Sequence, residues 1–118
     1  MTTTTHISRP LLVAGALCGA AGVALAARGS HGGDANLTIA ANFLIMHAPA
    51  LLAIAALPLG RWIRWAGWVL LAGLVLFAGD LAARSQWGGA LFPMAAPIGG
   101  TGMIVGWLGV AIGTLIRR

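Results

Sequence analysis

The sequence predicts an all-α integral membrane protein, a four-helix bundle with both termini in the cytoplasm. Three observations predict it. Hydrophobic residues make up 59% of the 118 residues and charged residues only 8%, against roughly 25% charged in an average soluble domain. The apolar residues gather in four runs, each long enough to cross a bilayer core of about 30 Å. All seven basic residues are arginines, and they stand singly or in pairs at the ends of those runs. Mean hydropathy is +0.93. So few charges cannot cover a water-soluble globule of this length, which excludes a soluble enzyme, and the apolar content excludes a disordered chain. Cys18 is the one cysteine, so there is no disulfide framework.

The runs read, in order, as spans of about residues 10–27, 37–59, 65–83 and 98–116, forming one domain over residues 1–118. Only helices and closed barrels satisfy their backbone in lipid, and runs this long without alternation are helices. The first closes at Arg28. Its basic start and small residues also resemble a signal peptide, but the expectation is a retained span. The second contains Pro49, which predicts a kink because it cannot donate to the Ile45 carbonyl, and it closes at Pro58 and Gly60. The third begins at Trp65 and closes at Arg84. The stretch from Ser85 to Pro97, with Gly88, Gly89 and Pro93, reads as a loop, in part re-entrant. The fourth ends at Arg117 and Arg118.

Orientation follows from the arginines. Arg9, Arg61, Arg64, Arg117 and Arg118 share one side and Arg28 and Arg84 the other, five against two, which places both termini in the cytoplasm. Trp62 and Trp65, with Trp68 a turn further in, fit the inner interface, and Trp87 the outer. The same distribution assigns the net charge of +5 to topology and lipid headgroups rather than to nucleic acid.

Glycines are spaced. Gly15, Gly19, Gly22 and Ala26 in the first run, and Gly102, Gly106, Gly109 and Gly113 in the fourth, both follow the spacing 0, 4, 7, 11. That spacing draws one stripe down a helix, and small stripes let backbones approach in lipid. The first and fourth helices are expected to pack through these stripes, with each other or across a subunit boundary.

Ionisable groups at membrane depth are costly, and each is a functional hypothesis. His47 lies ten residues into the second run, about 15 Å down. It reads as a ligand, proton-relay or substrate contact, or as a neutral imidazole bonded to a neighbouring helix through Asn42, Thr101 or the Ile45 carbonyl. Asp80 precedes Arg84 by four residues, a favourable helix pair. Read functionally, both would join Arg28, His31 and Asp34 in an outer polar cluster able to take a small ligand, a proton or a partner loop. Metal and cofactor sites fail on counting. A bis-histidine haem needs a second intramembrane His, with His6 and His31 expected on opposite sides, and a closed zinc site needs about four ligands. Gly99-Gly100-Thr101-Gly102 lacks the lysine of a phosphate loop. No catalytic constellation is visible.

The residues together resemble the family of small membrane proteins that includes bacterial YgdD and the eukaryotic transmembrane protein 256-like proteins (domain of unknown function 423). The resemblance rests on Gly15 to Gly32, closing on Gly29-Ser30-His31-Gly32. It rests also on Met46-His47-Ala48, and on Leu76-Phe77-Ala78-Gly79, Pro97-Ile98-Gly99-Gly100 and Gly106-Trp107 in the back half. It covers nearly the whole chain. Departures are Asp80, where the family tends to carry Ser and often Tyr nearby, and Ala96, where it often has Thr. The resemblance implies a four-helix integral membrane protein with no established activity, and makes His31 and His47 the first candidates for a shared role; the location expected is the bacterial inner membrane. Three functions stand against one another. The first is a structural or accessory subunit, in a homo-oligomer or a larger membrane complex. The second is an oligomeric transporter or channel using His47, and the third a redox or ligand-binding subunit completed by a partner.

Overall fold

In the computed structural model, which describes residues 7–116, four helices run up, down, up and down. They are α1 (Arg9–Gly32), α2 (Ala35–Ala56), α3 (Arg61–Trp87) and α4 (Ala95–Ile116). At about 1.5 Å per residue each is longer than a 30 Å hydrocarbon core, and all four are apolar enough to cross one. His6, Arg117 and Arg118 lie outside the described residues.

Local chemistry sets the ends. Ser8 caps α1 by accepting the Leu11 N–H, and Pro10 follows in the first turn, where its missing N–H costs no helical bond. Gly33, in the left-handed region at φ 65°, closes α1. Asp34 follows immediately and caps α2 through the amides of Asn36 and Leu37. α2 is continuous through Pro49 and ends at Ala56, just before Pro58. α3 continues past Arg84 to Trp87, where Gly88 caps it. The predicted loop is therefore much shorter than Ser85–Pro97. Ser85 to Trp87 are helical, and α4 has begun by Ala95. The Leu91 amide, held by Asp80, and Met94 at φ 72° turn the chain into α4.

The helices are arranged as two hairpins side by side. α1 packs on α2, α2 on α3 and α3 on α4; α1 barely meets α3, and α1 and α4 do not touch. The expected pairing of the first and fourth helices is thus replaced by packing of each on its own hairpin partner. A Cβ on Gly22 would stand 2.7 Å from Ile45 Cγ1 of α2. A Cβ on Gly106 would stand 2.8 Å from Leu70 Cα of α3. The faces read as intersubunit stripes are therefore occupied within the chain. Continuity also differs from the predicted stripes. Gly29 extends the first, against Thr38, and Gly99 extends the fourth, where a Cβ would stand 2.6 Å from the Phe77 amide nitrogen. Gly73 supplies the answering gap on α3, its own Cβ position 2.6 Å from the Met103 amide nitrogen.

α2 and α3 form the middle of the molecule, with 44% and 50% of their spans buried against 22% for each flanking helix. The largest fully buried apolar side chains are Leu51, Ile63, Leu70 and Leu74 of this middle pair and Leu11 of α1. Cys18 is a buried free thiol in the same core. The result is a slab of 54 × 26 × 17 Å, with a lateral groove between α1 and α3 over α2 and another between α2 and α4 over α3.

Candidate functional site

The polar side chains collect at two levels. At the end that carries the α1–α2 and α3–α4 connections, a relay of hydrogen bonds ties three helices together. Arg28 Nη2 on α1 donates to Gln86 Oε1 on α3 at 2.9 Å. Gln86 Nε2 donates to Ser85 Oγ at 3.0 Å, and the Ser85 hydroxyl donates to Asp34 Oδ2. Asp34 Oδ1 meanwhile accepts the Asn36 and Leu37 amides at 2.9 and 3.3 Å. The Ser85 hydroxyl, with those two amides, holds the Asp34 carboxyl below the usual carboxylate range, although partial burial opposes the shift.

Asp80 forms a separate constellation one turn deeper. Its side chain is completely buried. Oδ2 accepts from Arg84 Nε at 2.9 Å, and Oδ1 accepts the Leu91 amide at 2.8 Å. The Arg84 guanidinium is exposed on its outer side, so the stem spans from the buried acid to the surface. The expected five-residue cluster is therefore two constellations, and His31 belongs to neither. Its Nδ1 pairs with the Ala27 carbonyl of its own helix at 2.7 Å, exposed. Ser85 and Gln86, which do the linking, were hidden in a stretch read as loop.

At mid-span, His47 is 5% exposed and engaged at both ring nitrogens. Trp107 Nε1 of α4 donates to His47 Nε2 at 3.0 Å. An indole nitrogen is donor only, so Nε2 is the acceptor and the imidazole is neutral with its proton on Nδ1. That proton is donated to the Phe43 carbonyl one turn back, at 2.8 Å. None of the partners expected for His47 is used: Asn42 is exposed, and Thr101 donates to the Pro97 carbonyl of its own helix. Trp107 was missed because a helical stripe says which residues share a face, not which face meets α2.

Phe43 stacks on His47 with centroids 5.9 Å apart and tilts against Phe77 of α3 at 4.7 Å. The Trp107 ring lies 5.6 Å from the imidazole, tilted against it. These four rings line a groove of about 710 Å³, which Pro97, Thr101 and Met103 complete. α2 and α4 have no backbone contact, and the Trp107–His47 bond crosses the space between them. Among the described residues, no group of three or more metal-ligating side chains gathers, and no buried side-chain nitrogen or oxygen lacks a hydrogen-bond partner.

Comparison with known proteins places this geometry in a family. A UPF0382 membrane protein of Staphylococcus haemolyticus is 31% identical over 113 residues, covering 87% of this chain and 93% of that one. Its counterpart in Staphylococcus saprophyticus is 32% identical, over 87% of this chain and 94% of its own. No solved structure matches. The family model described as "Protein of unknown function (DUF423)" matches residues 18–100, a stretch that holds Asp34, His47, Phe77 and Asp80. With four membrane-spanning helices and relatives that match along nearly their whole length, the chain belongs to the DUF423 family of membrane proteins.

Proposed function

We propose that this protein is a non-catalytic accessory protein of the bacterial inner membrane, a stiff four-helix frame that joins a larger membrane assembly. One observation carries the reading: the two acids and the mid-span histidine, Asp34, Asp80 and His47, are engaged in holding the helices and their connections together. Asp34 caps α2 and takes the Ser85 hydroxyl of α3. Asp80 holds Arg84 and the connector to α4. His47 is bonded at both nitrogens. A catalytic or proton-carrying group needs a free lone pair or an exchangeable proton facing its substrate. The arginine distribution, five against two, supports a cytoplasmic location for both termini. Because the glycine faces are filled within the chain, the partner contact falls to the outer faces of α1 and α4, where Val13 and Leu108 are exposed.

The reading is tested by extracting the protein at native abundance in mild detergent and weighing the intact assembly by native mass spectrometry. The expected mass contains other polypeptides besides the 11.9 kDa chain. A mass that is only a whole multiple of the chain overturns the accessory role.

A further inference from the structure

The two lateral grooves differ in chemistry. The one between α1 and α3, about 410 Å³, is walled by residues such as Leu17, Cys18, Val75 and Ala78 and is suited to an acyl chain. The one between α2 and α4 has the same kind of opening but contains a His–Trp hydrogen bond among aromatic rings. A polar pair at membrane depth is costly where only hydrocarbon has to be accommodated. The helices it joins are already held through α3.

We propose that the α2–α4 groove binds a lipid-phase ligand whose ring carries a hydroxyl, of the phenol class, with an apolar tail. The complementarity is specific. Trp107 Nε1 can only donate and His47 Nε2 can only accept while Nδ1 donates to the Phe43 carbonyl. A hydroxyl both donates and accepts, so inserted between the two it takes the indole proton on its oxygen and gives its own proton to Nε2. One protein–protein bond becomes two protein–ligand bonds, and no buried polar atom is left without a partner. A carbonyl could satisfy Trp107 but would orphan Nε2, and an amine cation would be desolvated without a counter-charge, because no acid lines the groove. Phe43 and Phe77, tilted against each other at 4.7 Å, offer face and edge to the ring. Trp107 is 45% exposed, so its indole can turn toward an arriving ligand without unpacking the core.

The proposal does not rest on the accessory role, because its test uses the isolated protein. Reconstituted in phosphatidylcholine nanodiscs, the protein is titrated with a long-chain 4-alkylphenol and separately with its methyl ether, and bound ligand is counted by native mass spectrometry. The ether keeps the ring and tail but has no proton for Nε2. The phenol is expected to bind about tenfold more tightly than the ether, the size of one neutral hydrogen bond at the upper end of its range. His47→Leu, which removes the acceptor, should bring the two ligands to equal affinity, whereas Trp107→Phe, which leaves Nε2 free to accept the phenol proton, should preserve the phenol preference. Equal affinity in the unmodified protein overturns the proposal without recourse to any variant, as does a phenol preference that survives His47→Leu in a protein whose helical circular dichroism is intact.

Discussion

Asp34 shows how much one side chain can do at a chain reversal. It follows Gly33, the left-handed residue that stops α1, and within the next three residues it starts α2. The same carboxylate reaches α3 through Ser85. From the sequence Asp34 was placed only in an outer polar cluster; its cap of α2 was not read, and the Ser85 bond was hidden because it joins residues 51 positions apart. Its carboxyl is held below the ordinary range in the folded protein. The stability it contributes is therefore fully present above the unfolded carboxylate value, about 3.9, and is lost as pH falls through the lower folded value. The thermal midpoint in detergent should fall more steeply for the unmodified protein than for Asp34→Asn as pH is lowered from about 6 to about 2.5. Asparagine keeps a capping oxygen but cannot titrate, and Asp80 is common to both proteins. A difference between the two that stays constant over this range would remove Asp34 from the acid response.

Helices were the most legible level. Composition and run length alone gave four spans, and each lies largely within the helix observed. The errors fall at the ends. α3 begins four residues before its predicted start because Arg61 and Arg64 were read as boundary markers, although charged residues at an interface are compatible with helix. It ends later because Ser85 and Gln86 look like loop when their partners on the other helices are unknown. The glycine periodicity was legible as a face, but the face's destination was not, since a stripe carries no information about its partner. That destination changes what a substitution should do. Gly99→Ala or Gly106→Ala would push a methyl into the backbone of α3 at 2.6 or 2.8 Å, and should destabilise the protein by about 1–3 kcal/mol. Gly100→Ala, with no atom within 4 Å of the added carbon, should cost about nothing or gain slightly from helix propensity. Reversible unfolding in mixed micelles compares the three, and equal losses would mean that α3 and α4 are not in contact along this seam.

For the whole molecule, α2 and α3 are the shared middle and α1 and α4 are attached to one side each. Nothing in the residue pattern distinguishes this slab from a closed square of four helices, because both bury one stripe per flanking helix. The slab leaves α2 and α4 apart, and that opening makes room for the groove around His47. His47 was visible as a polar residue at depth, whereas the aromatic walls were not, being contributed by three helices at positions that share no period. The Trp107–His47 bond is the cross-brace of this opening. A double-mutant cycle with His47→Leu and Trp107→Phe should give a coupling energy of about 0.6 kcal/mol, and no more than about 1.7, as for other hydrogen bonds between helices in lipid. Strictly additive losses would mean that α2 and α4 respond to each other only through α3.

The order of the seams along the chain bears on how the protein is made. Each glycine-lined seam joins helices adjacent in sequence, through a short turn after α1 and a seven-residue turn after α3. Synthesis proceeds from the N-terminus, so α1 and α2 can zip together in the bilayer while α3 is still on the ribosome. The second pair closes in the same way after α4 emerges. Biogenesis thus reduces to two local closures followed by one docking of α2 on α3, the step on which the groove, the Ser85–Asp34 bond and the Arg28–Gln86 bond all depend.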